Sequence, residues 1–91
     1  MPIVILTADV KNGAAWERAY RSHSDLFKAA GLGPFHYSID DDDHVVMSTE
    51  VDDVDAYMEF IKSKATQDAM KGDGVKRKSV KVFVLDKTFQ A

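Results

Sequence analysis

Two short runs, one near each end of the chain, are apolar at almost every position, and they restrict the fold more than any other feature. Ile3 to Ala8 reads Ile-Val-Ile-Leu-Thr-Ala, and Val80 to Leu85 reads Val-Lys-Val-Phe-Val-Leu. β-Branched runs of this length predict strands. A strand with one wet face alternates apolar and polar residues, so a run without clean alternation asks for cover on both faces. Both runs are expected in one sheet, the first of them in its middle. With 91 residues and no Cys, the chain has a thin core and no disulfides to reinforce it. The common supports left are a metal or a partner subunit.

Between these runs the signals are local. Asn12 can cap a helix in which Trp16, Ala19, Tyr20, His23, Phe27 and Ala30 recur at steps of three and four, giving one apolar face. The spacing predicts a single helix up to Ala30. Gly31 can then take the left-handed conformation and let Leu32 fold back onto Phe27, while Pro34 prevents the helix from resuming. Phe35, Tyr37 and Ile39 alternate with His36 and Ser38, and His44 to Val51 alternates less cleanly. The polar stretch Asp40 to Asp43 turns the chain between them, which makes a hairpin. Either face of the first hairpin strand, with His36 or with Tyr37, can meet the helices. Asp52 or Asp53 can cap a second helix with the stripe Val54, Tyr57, Met58 and Ile61. A break near Ser63 and a short helical piece through Met70 follow, ended by Gly72 and Gly74.

The order β-α-β-β-α-β specifies an α+β, ferredoxin-like fold: a four-stranded antiparallel sheet with its helices on one face, in a single domain over residues 1–91. Nothing in the chain covers the other face, although the first and last strands carry apolar residues there. An identical subunit packed sheet to sheet would cover it, so an isologous homodimer is expected.

Trp16, Tyr20, His23, the Ala30-Gly31-Leu32 closure, the short hairpin, the Asp-led second helix, the Gly74-Val75 step and the terminal apolar strand together resemble the dimeric α/β-barrel proteins. Within that superfamily the pattern is similar to small stand-alone proteins related to antibiotic-biosynthesis monooxygenases and to stress-responsive barrel proteins. The resemblance covers nearly the whole chain and rests on spacing. It implies a dimeric α/β barrel with a cleft in each subunit between helices and sheet. Some such proteins oxidise or rearrange small aromatic or polyketide-like molecules without a cofactor, some degrade haem, and many have no known activity. For the cofactor-free members it implies an Asn, a Trp and an Arg around the substrate. Asn12 and Trp16 match in type, and no Arg falls beside them. For the haem-degrading members the helix His would be His23.

Read from the residues alone, His23 is the candidate catalytic residue, an acid/base or ligand-orienting group one turn from Tyr20 and from Phe27. Its plainer role is a partly buried imidazole satisfied by a neighbouring carbonyl or hydroxyl. Trp16, Tyr20, Phe27, Tyr37 and Tyr57 are candidate ligand-binding residues, and equally good core residues at helical spacing. Asp40 to Asp43 with His44 lack the alternating ligand spacing and glycine of a calcium loop, so no metal site is assigned and no cofactor is expected. Charge argues in the same spirit. Eight acids and no Lys or Arg lie between Asp40 and Asp55, while Lys76, Arg77, Lys78 and Lys81 form a basic patch. The net charge of −3 and the lack of aromatics among those basic residues disfavour nucleic acid. No run suits a membrane span or a signal peptide, so a cytoplasmic protein whose partners are its own copy and a small molecule is the expectation. Two functions fit: a cofactor-free enzyme of the monooxygenase or isomerase kind, or a non-catalytic ligand-binding or structural dimer.

Overall fold

The computed structural model describes residues 2–91. Strand β1 (Ile3–Val10) leads to helices α1 (Gly13–Ser22) and α2 (Ser24–Ala29). The hairpin β2 (His36–Ile39) and β3 (His44–Glu50) follows, then α3 (Val54–Lys62), α4 (Lys64–Gly72) and β4 (Val75–Leu85). The four strands form one sheet in the order β2-β3-β1-β4, with every neighbouring pair antiparallel. This is the ferredoxin-like arrangement, each of its two helical segments broken into two pieces.

The register assigns every strand residue to a face. Val4, Leu6, Ala8 and Val10 of β1 are buried against the helices. Beside them on the same side lie Val45, Met47 and Thr49 of β3 and Val82 and Val84 of β4. The other side carries Ile3, Ile5, Thr7 and Asp9, flanked by Val46, Ser48 and Glu50 on one hand and by Lys81, Phe83 and Leu85 on the other. No element of the chain covers that side among the described residues. Ile3, Val46, Phe83 and Leu85 are left exposed there, Phe83 at 50% and Leu85 at 47%. The doubly apolar character of the terminal runs is thus real, and only half of it is used within the described chain.

Tyr37 pairs with Met47 and so points to the helices, which leaves His36 and Ser38 on the open side. Capping follows the expected chemistry. Asn12 Oδ1 accepts from the Ala15 N–H at 2.9 Å, and Asp53, rather than Asp52, accepts from the Ala56 N–H at 3.1 Å. Ser63 ends α3 and starts α4, its hydroxyl accepting from the Thr66 N–H. After α2, Gly31 has φ +73°, and the Leu32 N–H donates to the Phe27 carbonyl at 3.0 Å, the closure expected of this Gly-Leu pair.

Two elements differ from expectation. The first helix is interrupted at His23 (φ −90°, ψ 18°), where the backbone N–H bonds the Tyr20 carbonyl, a tightened last turn. The interruption leaves Ala30 exposed instead of on the buried face. The last strand starts at Val75, five residues earlier than its apolar run. Its added residues Lys76, Arg77 and Lys78 are exposed on a sheet edge, where polar side chains cost nothing. An irregularity between Thr7 and Asp9 absorbs the register change, and there the Asp9 N–H donates to the Ser79 hydroxyl at 2.8 Å.

Candidate active site

Helical periodicity turns one face of α1 toward the sheet, and Trp16 and Tyr20 on that face are both buried. Their rings stack at 4.7 Å. Phe27 from α2 lies 5.0 Å from the Tyr20 ring, and Phe35 meets it edge-on at 5.7 Å. This aromatic cluster is one wall of a cavity between helices and sheet. Leu6, Ala8, Val45 and Met47 form its floor, and Tyr57, Ile61 and Met70 form the far wall. About 50 Å³ of it is open to the centres of water-sized molecules. At roughly 10–15 Å³ for each water, that is space for a few waters.

Polar groups on this cavity are few. His23, at the α1–α2 break, and Asp73, just past α4, face each other across its rim, with Nε2 of the imidazole 2.9 Å from Oδ1 of the carboxylate. The Asp73 side chain is 9% exposed and that of His23 28%. A ring donating Nε2–H to Asp73 has its other nitrogen, Nδ1, free of that contact. Tyr57 and Thr66 also line it, and so does Tyr20. The Tyr20 hydroxyl is buried and has no hydrogen-bond partner among the described residues. Burial, and then the neighbouring Tyr57 and Tyr37, hold its pKa well above the ordinary phenol range. Burial alone pushes Tyr57 up to about 12.

The structure therefore brings Trp16, Tyr20, His23, Phe27 and Tyr57 onto one cavity. Tyr37 stands apart from them. It meets Trp16 edge-on at 5.8 Å, but its hydroxyl turns outward, accepting from Arg21 Nε at 2.8 Å and donating to Glu17. Arg21 lies over the same ring, 5.6 Å from its centre. A shallow outer depression with Arg21, Lys28 and Tyr37 on its rim shares Tyr20, Phe27, Leu32 and Phe35 with the cavity. These four side chains partition inner space from outer. Asn12 is occupied as a helix cap, away from the cavity lining. Sequence reasoning missed Asp73, which lies 50 residues from His23 and carries no local signal.

The Asp40–Asp43 turn is accounted for by its own hydrogen bonds. Asp40 Oδ1 accepts from the N–H groups of Asp42 and His44, and Asp43 Oδ1 accepts from the Gly13 N–H at 2.8 Å. His44 lies between Asp40 (2.9 Å) and Asp9 (3.3 Å). Asp40, Asp42 and His44 offer ligand atoms within 4.8 Å of one another, all exposed.

The sequence matches no family model and no curated protein. Solved structures do match. A candidate antibiotic biosynthesis monooxygenase from Bordetella bronchiseptica superposes with a TM-score of 0.75 at 20% identity, over 97% of each chain. The chain has that fold. SnoaB, a cofactor-independent oxygenase from Streptomyces nogalater, superposes with a TM-score of 0.71 at 12% identity, over 98% of this chain and 94% of that one. A candidate antibiotic biosynthesis monooxygenase from Nitrosomonas europaea does so at 0.66 and 18%, over 98% and 100%. That fold covers 97% of the chain in the Bordetella match, and no helix among the described residues is long and apolar enough to cross a membrane.

Proposed function

We propose that this chain is a homodimeric, cofactor-free enzyme of the monooxygenase or isomerase kind, acting on a small aromatic molecule beside His23. The observation that carries the reading is the His23–Asp73 pair on the rim of a largely apolar cavity. A base held by a carboxylate, next to a water-poor space, suits abstraction of a weakly acidic C–H or O–H proton. His23 takes a proton from an activated methylene, and the electron pair spreads into the substrate. In the oxygenase form that carbanion reduces O₂, and loss of water leaves a carbonyl: CH₂ + O₂ → C=O + H₂O. In the isomerase form His23 returns the proton to another carbon and nothing is oxidised. The likeness to SnoaB supports the first form. The homodimer rests on the exposed apolar side of the sheet.

Phenylacetone, 2-tetralone and anthrone form a size series of activated methylenes. Exchange of the methylene protons in D₂O, followed by NMR, reports proton abstraction, and oxygen uptake reports oxygenation. Exchange faster than buffer is expected for at least the smallest member, with His23→Ala lowering it by about 100-fold. Exchange at the buffer rate for all three overturns the reading. The cavity's small size favours one second reading, a non-catalytic dimer in which the same side chains are core. In that case His23→Ala changes stability and nothing else.

A further inference from the structure

We infer that α2, with the Gly31-Leu32 closure that follows it, is a lid on the cavity, hinged at His23 and at Gly33, whose opening joins the cavity to the outer depression. This rests on the reading of the cavity as a ligand site and says how a substrate enters it. The closed space takes only a few waters, so an aromatic substrate needs a wall to move. The lid is the wall common to both spaces. Leu26, Phe27 and Leu32 line the cavity, and Ser24, Phe27, Lys28 and Leu32 line the depression. The Leu32 N–H bond to the Phe27 carbonyl makes helix and closure one piece.

Little holds this piece in place. A six-residue helix is too short to be stable alone, so α2 depends on what it packs against. None of its residues is buried: Ser24, Asp25, Lys28 and Ala29 are exposed, and only Leu26 and Phe27 are partly covered. Asp25 and Lys28 are in no ion pair among the described residues. Segments with so little buried surface are the ones that open locally while the rest stays folded. The chain on either side is anchored. Asp73 holds the His23 ring at 2.9 Å, and the buried Thr49 donates its hydroxyl to the Pro34 carbonyl at 3.1 Å. The joints themselves are free to turn. His23 has already left the helical conformation, and Gly33 sits at φ +122°, where a Cβ would meet nothing within 4 Å. Opening costs no strand pairing, and it leaves the His23–Asp73 pair on the rim.

The chain has no Cys, so a single thiol placed on the cavity floor reports access to it. Ala8→Cys puts one at a position only 4% exposed, and Leu6→Cys, at 3%, repeats the reading should the first variant fold poorly. Reaction with a neutral dipyridyl disulfide is followed by absorbance in increasing urea, beside global unfolding of the same variant. Labelling should run about tenfold or more faster than global unfolding allows, and should not change with urea below the unfolding transition. Hydrogen exchange locates the moving part: the amides of Phe27 and Leu32 should exchange by the same urea-independent opening, while that of Tyr20 in α1 waits for a larger one. Labelling that tracks global unfolding, labelling at the rate of a fully exposed thiol, or fast labelling with Phe27 as protected as Tyr20 overturns the inference. Opening needs no turnover. If the lid opens as expected and methylene exchange stays at the buffer rate, the catalytic reading fails and the lid stands.

Discussion

At the scale of single residues, the site is built from side chains whose partners are far away in sequence. His23 is visible in the sequence as a histidine on an apolar helical face, but its meaning depends on Asp73, and only the fold brings the two together. The plainer reading of the sequence gives the imidazole a carbonyl or hydroxyl partner; the structure gives it a carboxylate. Asp73→Ala is expected to lower stability by about 1–2 kcal/mol in urea unfolding, because the ring then loses its bonded partner in a partly buried position. His44 supplies a pH signature. Its pKa is raised, first by the hydrogen bond to Asp40 and then by the charges of Asp40, Asp9 and Asp42. Asp40 is lowered, chiefly by the backbone N–H of His44. The His44 contribution is complete below the ordinary histidine value of about 6.5 and fades as pH rises through the raised one. The Asp40 contribution is complete above the ordinary aspartate value and fades as pH falls through its lowered one. The pair therefore stabilises most at mildly acidic pH. An NMR titration should place the His44 midpoint above that of an ordinary histidine, and Asp40→Asn should bring it back down.

At the scale of elements, most of the secondary structure was legible because its causes are local. Caps at Asn12, Asp53 and Ser63 and the Gly31-Leu32 closure follow from side-chain chemistry within a few positions. What was not legible has tertiary causes. The interruption at His23 coincides with a partner contributed by the end of α4, and the early start of β4 depends on β1 offering an edge to pair with. The face taken by Tyr37 was undecided because Phe35, Tyr37 and Ile39 make an apolar face that either side of a dimeric sheet could want. Two substitutions test the element joints. Asp53→Ala should cost about 1 kcal/mol by removing the cap of α3. Gly13→Ala should cost about 1–3 kcal/mol, since a Cβ there would sit 2.5 Å from Cγ2 of Ile39, against a β-branched side chain with little freedom to move. Thermal or urea unfolding of each variant checks both values.

At the scale of the molecule, the strand order and the one-sided helical layer were readable from the order of elements and from apolar runs that lacked alternation. The cavity was not, because its volume and lining depend on how seven elements pack. The open side of the sheet is graded: Ile3, Ile5, Phe83 and Leu85 cluster toward one corner, whereas Asp9, His44 and Lys81 lie toward the other end. A two-fold pairing that buries the apolar corner brings the β4 edges of both copies near the axis. Phe83→Asp should place a charge in that contact and convert a dimer to a monomer in size-exclusion chromatography with light scattering. A wild-type chain that already runs as a monomer at micromolar concentration would remove the dimer from the account.

The alternation of β1 has one more consequence. Leu6 and Ala8 form the cavity floor, while Ile5 and Thr7, their immediate neighbours in the chain, point to the open side. A single thickness of backbone separates the proposed ligand contact from the proposed partner contact. Anything that steadies this strand from one side lowers the cost of ordering it from the other, and thermodynamic linkage makes the effect mutual. Ligand affinity should then rise with protein concentration, and saturating ligand should lower the concentration at which two copies stay together.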